Sequence, residues 1–223
     1  MFQKLNNHVI IMAAGRGLRM KPLTDSIPKA MAPIKGSTLI ANGINQLSKN
    51  FNNIHITVGY KGALLARHVI DLKVNTIFNT NNKGNSWWLY NTLIKSIDAP
   101  IFVLTCDNIF EINFKSYLDD YYYNKSPACM ILPVNPIKGL DGDYIIENDK
   151  NVITEITRKK KSEYYCSGLQ ILNPFKINKI TKSCENFQDV WKQLIVLNEI
   201  KKSNLILKKW YAVDTLTQLN NLN

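Results

Sequence analysis

Ile10-Ile11-Met12-Ala13-Ala14-Gly15-Arg16-Gly17-Leu18-Arg19-Met20-Lys21-Pro22-Leu23-Thr24-Asp25-Ser26-Ile27-Pro28-Lys29 is the stretch on which the reading of this chain turns. With Val9 before it, residues 9–12 form an unbroken apolar run, the pattern of a strand covered on both faces. The run feeds a small-residue turn at residues 13–17, with Arg19 and Lys29 close behind. Glycines let backbone N–H groups approach phosphate oxygens, and fixed cations add charge, so the segment suits a triphosphate. Met20 stands where a dinucleotide fingerprint requires its third glycine, and no G-x-x-x-x-G-K-[ST] loop occurs in the chain.

Outward from this stretch, short apolar runs alternate with segments of helical period. Ser37 or Thr38 can cap a helix in which Ile40, Ile44, Leu47 and Phe51 share a face. Residues 55–58 read as a second strand, 63–70 as a short helix and 74–78 as a third strand. Residues 86–97 read as a helix carrying Trp87, Tyr90, Ile94 and Ile97, and 101–105 as a further strand. This order predicts a Rossmann-like α/β fold, a mostly parallel mixed sheet flanked by helices. Beyond about residue 125 the pattern is richer in strands: 128–134, 143–147, 152–157 and 164–172. Turn signals fall at Asn135-Pro136, Gly139, Asp141-Gly142 and Asn148-Asp149. A late helix around Phe187, Val190, Trp191, Leu194 and Asn198, a strand at 205–207 and a closing helix at 215–219 complete the chain. The expectation is one domain over 1–223, whose second half, from about residue 126, is a smaller β-rich lobe.

The 223 residues are long enough to bury a substantial core, and 45% hydrophobic with 20% charged is an ordinary globular balance. The net charge of +11 is spread along the chain, with one dense run at Arg158-Lys159-Lys160-Lys161. That dispersion argues for anionic small molecules and against nucleic acid or membrane as partners. Cys106, Cys129, Cys166 and Cys184 form no C-x-x-C pair, and His8, His55 and His68 have no metal-ligand spacing. Reduced thiols in a cytoplasmic protein are expected. No signal peptide and no membrane span is expected.

Two aspartates stand out. Asp107, in Phe102-Val103-Leu104-Thr105-Cys106-Asp107-Asn108, lies at the carboxyl end of a strand, where open α/β sheets place ligands. A turn or N-cap role is the alternative. Asp214, in Trp210-Tyr211-Ala212-Val213-Asp214-Thr215, follows a strand and precedes a helix that it could equally cap.

The run from Gly15 to Lys29 resembles the signature G-x-G-x-R-x-x-P-L-T-x-x-x-P-K of the nucleotidyltransferases that activate sugar phosphates. That family includes sugar-1-phosphate uridylyl-, guanylyl- and thymidylyltransferases and phosphocholine cytidylyltransferase. The segment ending at Asp214 resembles the family's late W-x-x-(I/V)-D. The resemblance implies Mg²⁺ on Asp107 and Asp214, and an NTP cradled by Ala13, Ala14, Gly15 and Gly17. Arg19 would hold the β and γ phosphates and Lys29 the α-phosphate, making Arg19, Lys29, Asp107 and Asp214 the catalytic set. It further implies a nucleotide-binding half over about 1–125 and an acceptor-binding and closing half over about 126–223, with a base-reading loop at Gly84 and Asn85, a sugar-lobe turn at Gly142, and an acceptor-facing strand at Gly168. Thr157-Arg158 stands where an E-K pair is common, and Arg158 would hold the acceptor phosphate in place of lysine. The chain departs from the family at Cys106, usually glycine, at Trp87-Trp88, usually small, and at Thr157, usually glutamate. Ala13-Ala14-Gly15 resembles the A-A-G of uridylyl and cytidylyl enzymes. The implied reaction passes NMP from UTP or CTP to a sugar 1-phosphate, with pyrophosphate leaving. A phosphocholine-type cytidylyltransferase, or a guanylyltransferase acting on mannose- or heptose-1-phosphate, is the alternative.

Overall fold

A computed structural model of the protein describes residues 5–137 and 142–222. The turn signals at Gly139 and Asp141 lie outside the described residues. Two compact units are present. One comprises Met1–Lys83, Val103–Ile109 and Tyr211–Asn223; the other comprises Gly84–Phe102 and Phe110–Trp210.

In chain order the principal elements begin with β1 (Leu5–Ala13), α1 (Leu39–Leu47), β2 (Phe51–Val58), α2 (Gly62–Val69) and β3 (Thr76–Asn79). They continue with α3 (Trp87–Asn91), β4 (Ile101–Thr105), β5 (Asn108–Glu111), α4 (Phe114–Tyr123) and β6 (Cys129–Val134). Then come β7 (Tyr144–Glu147), β8 (Ile153–Thr157), β9 (Tyr165–Leu172), α5 (Pro174–Ile180) and α6 (Phe187–Val196). The chain closes with β10 (Ile200–Lys202), β11 (Lys209–Ala212) and α7 (Leu216–Asn220). Among the described residues no helix is long and apolar enough to cross a membrane.

The first unit is the parallel sheet that the alternating pattern predicts. β1 pairs with β2 and β2 with β3, both parallel, and β4 lies on the other side of β1. Val9, Ile10 and Ile11 are fully buried, as a strand covered on both faces requires. Thr38 caps α1 by accepting from the amide of Ala41, and Ile40, Ile44 and Leu47 bury its inner face. Phe51, expected on that helix, instead opens β2. Ser48 ends the helix, and the chain turns before the aromatic ring is buried as a strand residue. A second apolar cluster joins Met20, Ala32, Ile34, Leu39, Val213 and Leu219. Burying each large apolar side chain contributes roughly 1.5–3 kcal/mol. The cluster thereby pins the segments next to Arg19, Lys29 and Asp214 to one another.

The second unit is mainly antiparallel. β6 is buried along its whole length and pairs antiparallel with β9 and parallel with β10. β9 also meets β7, which pairs antiparallel with β8. The β9–β6 register shifts between Cys166 and Gln170, where Gly168 takes φ 82°, a backbone that favours glycine. Two expectations fail here. The helix expected over 86–97 ends at Asn91, because the Thr92 hydroxyl bonds the Trp88 carbonyl and then caps a new turn, Leu93–Ser96. Residues 205–207 are not a strand. Asp120 accepts from the Ser203 hydroxyl at 2.6 Å and the Asn204 amide at 3.0 Å, bending the chain there, and the edge strand is β10 instead.

Candidate active site

The first unit gathers Arg19, Lys29, Asp107 and Asp214 into one cluster. Lys29 opens a short 3-10 turn, Lys29–Met31, behind Pro28, and its stem lies under the glycine turn. A Cβ built on Gly17, whose φ is 63°, would sit 2.8 Å from the Lys29 Cβ and 3.3 Å from its Cδ. Only glycine therefore lets the turn cross over the lysine. The Lys29 Nζ donates to Asp107 Oδ2 and, at 2.8 Å, to Asp214 Oδ1. Arg19 Nη2 reaches the same Asp214 oxygen at 2.9 Å. Two cations thus meet two carboxylates. Burial alone pulls the Lys29 ammonium down, but the Asp107 and then the Asp214 carboxylate outweigh it, and its pKa stands above the ordinary lysine value. Lys29 carries a full positive charge at neutral pH.

Asp107 sits in the turn between β4 and β5, and its carbonyl accepts from the amide of Val213 at 3.0 Å. That bond ties the two aspartate segments together. Asp214 does not cap α7. Thr215 does, through a capping box with Gln218, whose side chain also accepts from the Asp214 amide at 2.7 Å. The Asp214 carboxylate is left to face the two cations. Burial, reinforced by the Asp107 charge, pushes the Cys106 thiol up to about 12. The residue that replaces the usual glycine therefore adds no charge beside Asp107.

Several supports of the glycine turn were not legible in sequence. Ala13 donates to the Thr57 hydroxyl at 3.3 Å, and Ala14 accepts from the Tyr60 amide at 3.0 Å. Gly59 permits that approach, since a Cβ on it would fall 2.7 Å from the Ala14 carbonyl oxygen. The buried Thr24 hydroxyl donates to the Gly17 carbonyl at 3.0 Å, and Tyr60 Oη donates to the Thr24 carbonyl at 2.9 Å. The Arg16 guanidinium lies 5.3 Å from the Tyr60 ring centre. Gly15 is exposed, and a Cβ there would meet open space.

The other predicted residues, Gly84, Asn85, Gly142, Arg158 and Gly168, belong to the second unit. Gly84 is clamped to the segment before α6. Its amide donates to Glu185 Oε2 at 2.7 Å, and a Cβ on it would fall 1.9 Å from the Glu185 carbonyl oxygen. The Asn85 side chain accepts from the Phe187 amide at 2.9 Å. Gly142 lies against the Tyr165 ring, where a Cβ would come within 2.4 Å. Arg158 is 68% exposed and donates to Asp143 through Nε at 3.0 Å and Nη2 at 3.5 Å. Asn85, Asp143 and Arg158 line a cleft of about 800 Å³ together with Phe187 and Trp191. The two rings stack with centres 6.0 Å apart. Trp88 is core, 1% exposed and packed on Phe187. Nothing local in the sequence marks Glu185 as the partner of Gly84, because 101 residues separate them.

Comparison with known proteins supplies the family. The bifunctional protein GlmU of Methanococcus aeolicus is 27% identical over 229 residues, spanning 94% of this chain and 54% of the relative. Choline-phosphate cytidylyltransferase of Streptococcus pneumoniae is 34% identical over 113 residues, 49% of this chain and 48% of the relative. The chain spans about half the length of these curated relatives. The inositol-1-phosphate CTP transferase of T. maritima has the same fold, with TM-score 0.77 at 18% identity over 98% of this chain and 94% of that one. A model described as "Nucleotidyl transferase" matches residues 8–188, and the chain belongs to that nucleotidyl transferase family.

Proposed function

We propose that this protein transfers a nucleotidyl group from UTP or CTP to the phosphate of a small acceptor, a sugar 1-phosphate in the first reading, releasing pyrophosphate. The observation that carries the proposal is the convergence of Lys29, Arg19, Asp107 and Asp214 beside an open glycine turn in a member of this family. The acceptor phosphate is already an anion, so no general base is needed. Catalysis reduces to positioning and charge neutralisation.

In this reading the amides of residues 15–17 and Arg19 hold the β and γ phosphates, and Lys29 neutralises the α-phosphate as the new P–O bond forms and the bond to pyrophosphate breaks. Each charge-assisted contact contributes roughly 1.5–3 kcal/mol. Asp107 and Asp214 suit Mg²⁺, because both reach one shared point and this ion commonly takes one or two carboxylates plus phosphate and water. Bound there, Mg²⁺ would supply charge stabilisation at the reacting phosphates. Arg158 and Asp143 line the cleft assigned to the acceptor, and the acceptor phosphate competes with Asp143 for the guanidinium. The Ala13-Ala14 pair favours UTP or CTP.

A phosphocholine-type acceptor is the second reading, favoured by the stacked Phe187 and Trp191 in that cleft, since aromatic faces attract quaternary ammonium groups. The test is Mg²⁺-dependent pyrophosphate release over the four NTPs crossed with sugar 1-phosphates and phosphocholine. Release is expected in one UTP or CTP well. Silence in every well overturns the enzymatic reading, and release confined to a phosphocholine well selects the second acceptor.

A further inference from the structure

We propose that Lys29 is a resident counter-cation that holds the Asp107–Asp214 pair closed to a divalent ion until a bound triphosphate draws the ammonium away. Metal then enters with the nucleotide and not before it. The inference rests on the metal reading of the two aspartates given above.

Lys29 Nζ bonds Asp107 Oδ2 and Asp214 Oδ1 together, and Arg19 Nη2 lies 2.9 Å from that same Asp214 oxygen. The oxygens best placed to share a divalent ion are the ones already neutralised. A metal arriving alone must strip part of its own hydration shell and also expel an ammonium from two carboxylates. The Lys29 side chain is only 11% exposed, so solvent offers the displaced charge little compensation.

A triphosphate changes both terms. The Lys29 stem is fixed by contact beneath Gly17, and its neighbours Ala30 and Ala32 are 1% and 0% exposed. The head of the side chain therefore moves while its base stays. The glycine turn above the stem is the segment read as the phosphate cradle. Phosphate oxygens held on that turn give the Lys29 ammonium and the Arg19 guanidinium new anionic partners, and both carboxylates are released for the metal. Coupling of this kind is reciprocal: nucleotide raises metal affinity by the same factor that metal raises nucleotide affinity, typically about 5- to 150-fold.

The test measures Mn²⁺ binding to the intact, nucleotide-free protein by the electron paramagnetic resonance signal of the unbound ion. Lys29→Met is expected to bind Mn²⁺ at least about tenfold more tightly than the wild type. Lys29→Gln, which keeps a donor for one carboxylate, is expected to fall between them and serves if Lys29→Met does not fold. Equal affinity in the wild type and the folded variants overturns the latch. Adding Asp107→Asn to Lys29→Met distinguishes failure of the latch from failure of the metal site. Loss of the tight site confirms the carboxylates as ligands, whereas its persistence overturns the metal reading itself. A calorimetric arm in the wild type, with a non-transferable α,β-methylene UTP, is expected to give at least about fivefold tighter nucleotide binding with Mn²⁺ than with chelator. Identical affinity overturns the coupling.

Discussion

In the first unit Lys29 is 11% exposed and pairs with Asp107 and Asp214, whereas in the second Arg158 is 68% exposed and pairs with Asp143. The difference follows from how each is built. Lys29 is fixed by a turn that only glycine can form and by an apolar cluster joining three distant segments. Arg158 directly follows β8 and lines an open cleft. A buried charge with rigid partners suits a step common to every substrate of a family. An exposed charge in an open cleft suits recognition, which must differ between acceptors.

Breaking the first unit's cluster carries the largest expected effect. Asp107→Asn and Lys29→Met are each expected to lower kcat by about 10²–10³-fold, as removal of a preorganised charge does elsewhere. Steady-state pyrophosphate release checks this, with circular dichroism confirming the fold. A loss confined to KM would place both residues outside the chemical step.

Acid tests the same unit through a different group. Burial, then the neighbouring His8, lowers the His55 pKa from 6.5 to about 4, with His8 Nδ1 2.8 Å from His55 Nε2 and Thr76 Oγ1 2.6 Å from its Nδ1. The unfolded chain therefore binds protons that the folded one refuses between pH 6.5 and about 4. Stability from this group is fully present above pH 6.5 and is lost as pH falls toward 4, by at most about 3 kcal/mol. Urea unfolding across this range should lose that part of its pH slope in His55→Gln. An unchanged slope would assign the acid sensitivity elsewhere.

Glycine replacements sharpen the contrast between the units at an intermediate level. Gly17→Ala and Gly84→Ala each force a Cβ against a neighbour, Lys29 in one unit and the Glu185 carbonyl in the other. Each is expected to cost about 1–3 kcal/mol. Gly15→Ala meets open space and should leave stability within about 0.5 kcal/mol while raising KM for the NTP. Thermal melts paired with NTP titrations measure both, and an unaffected KM would remove Gly15 from the cradle.

The smallest stability effect is expected at the cleft. Arg158→Gln breaks an exposed ion pair worth about 0–1 kcal/mol. It is expected to raise the acceptor KM severalfold and leave the NTP KM and the melting temperature nearly unchanged. A matching rise in the NTP KM would deny Arg158 its separate role.

Residues 9–29 by themselves carried the first strand, the glycine turn and the two cations, because local backbone sterics and charge spacing act over a few residues. The alternation beyond them carried the parallel sheet. The helix expected over 86–97 breaks at Thr92 because a hydroxyl competes locally for a carbonyl, a contest that helical spacing alone does not reveal. Other features depended on residues far away in the chain: the Leu205 strand is lost to Asp120. Whether Asp214 caps the last helix was undecided in sequence, and Thr215 with Gln218 takes that cap instead. The meeting of Lys29 with Asp107 and Asp214, 78 and 185 residues away, belongs to tertiary structure alone. Sequence supplied the charges. Their neutralisation of one another came from burying Met20, Ala32, Ile34, Leu39, Val213 and Leu219 together, a long-range packing event that no local pattern encodes.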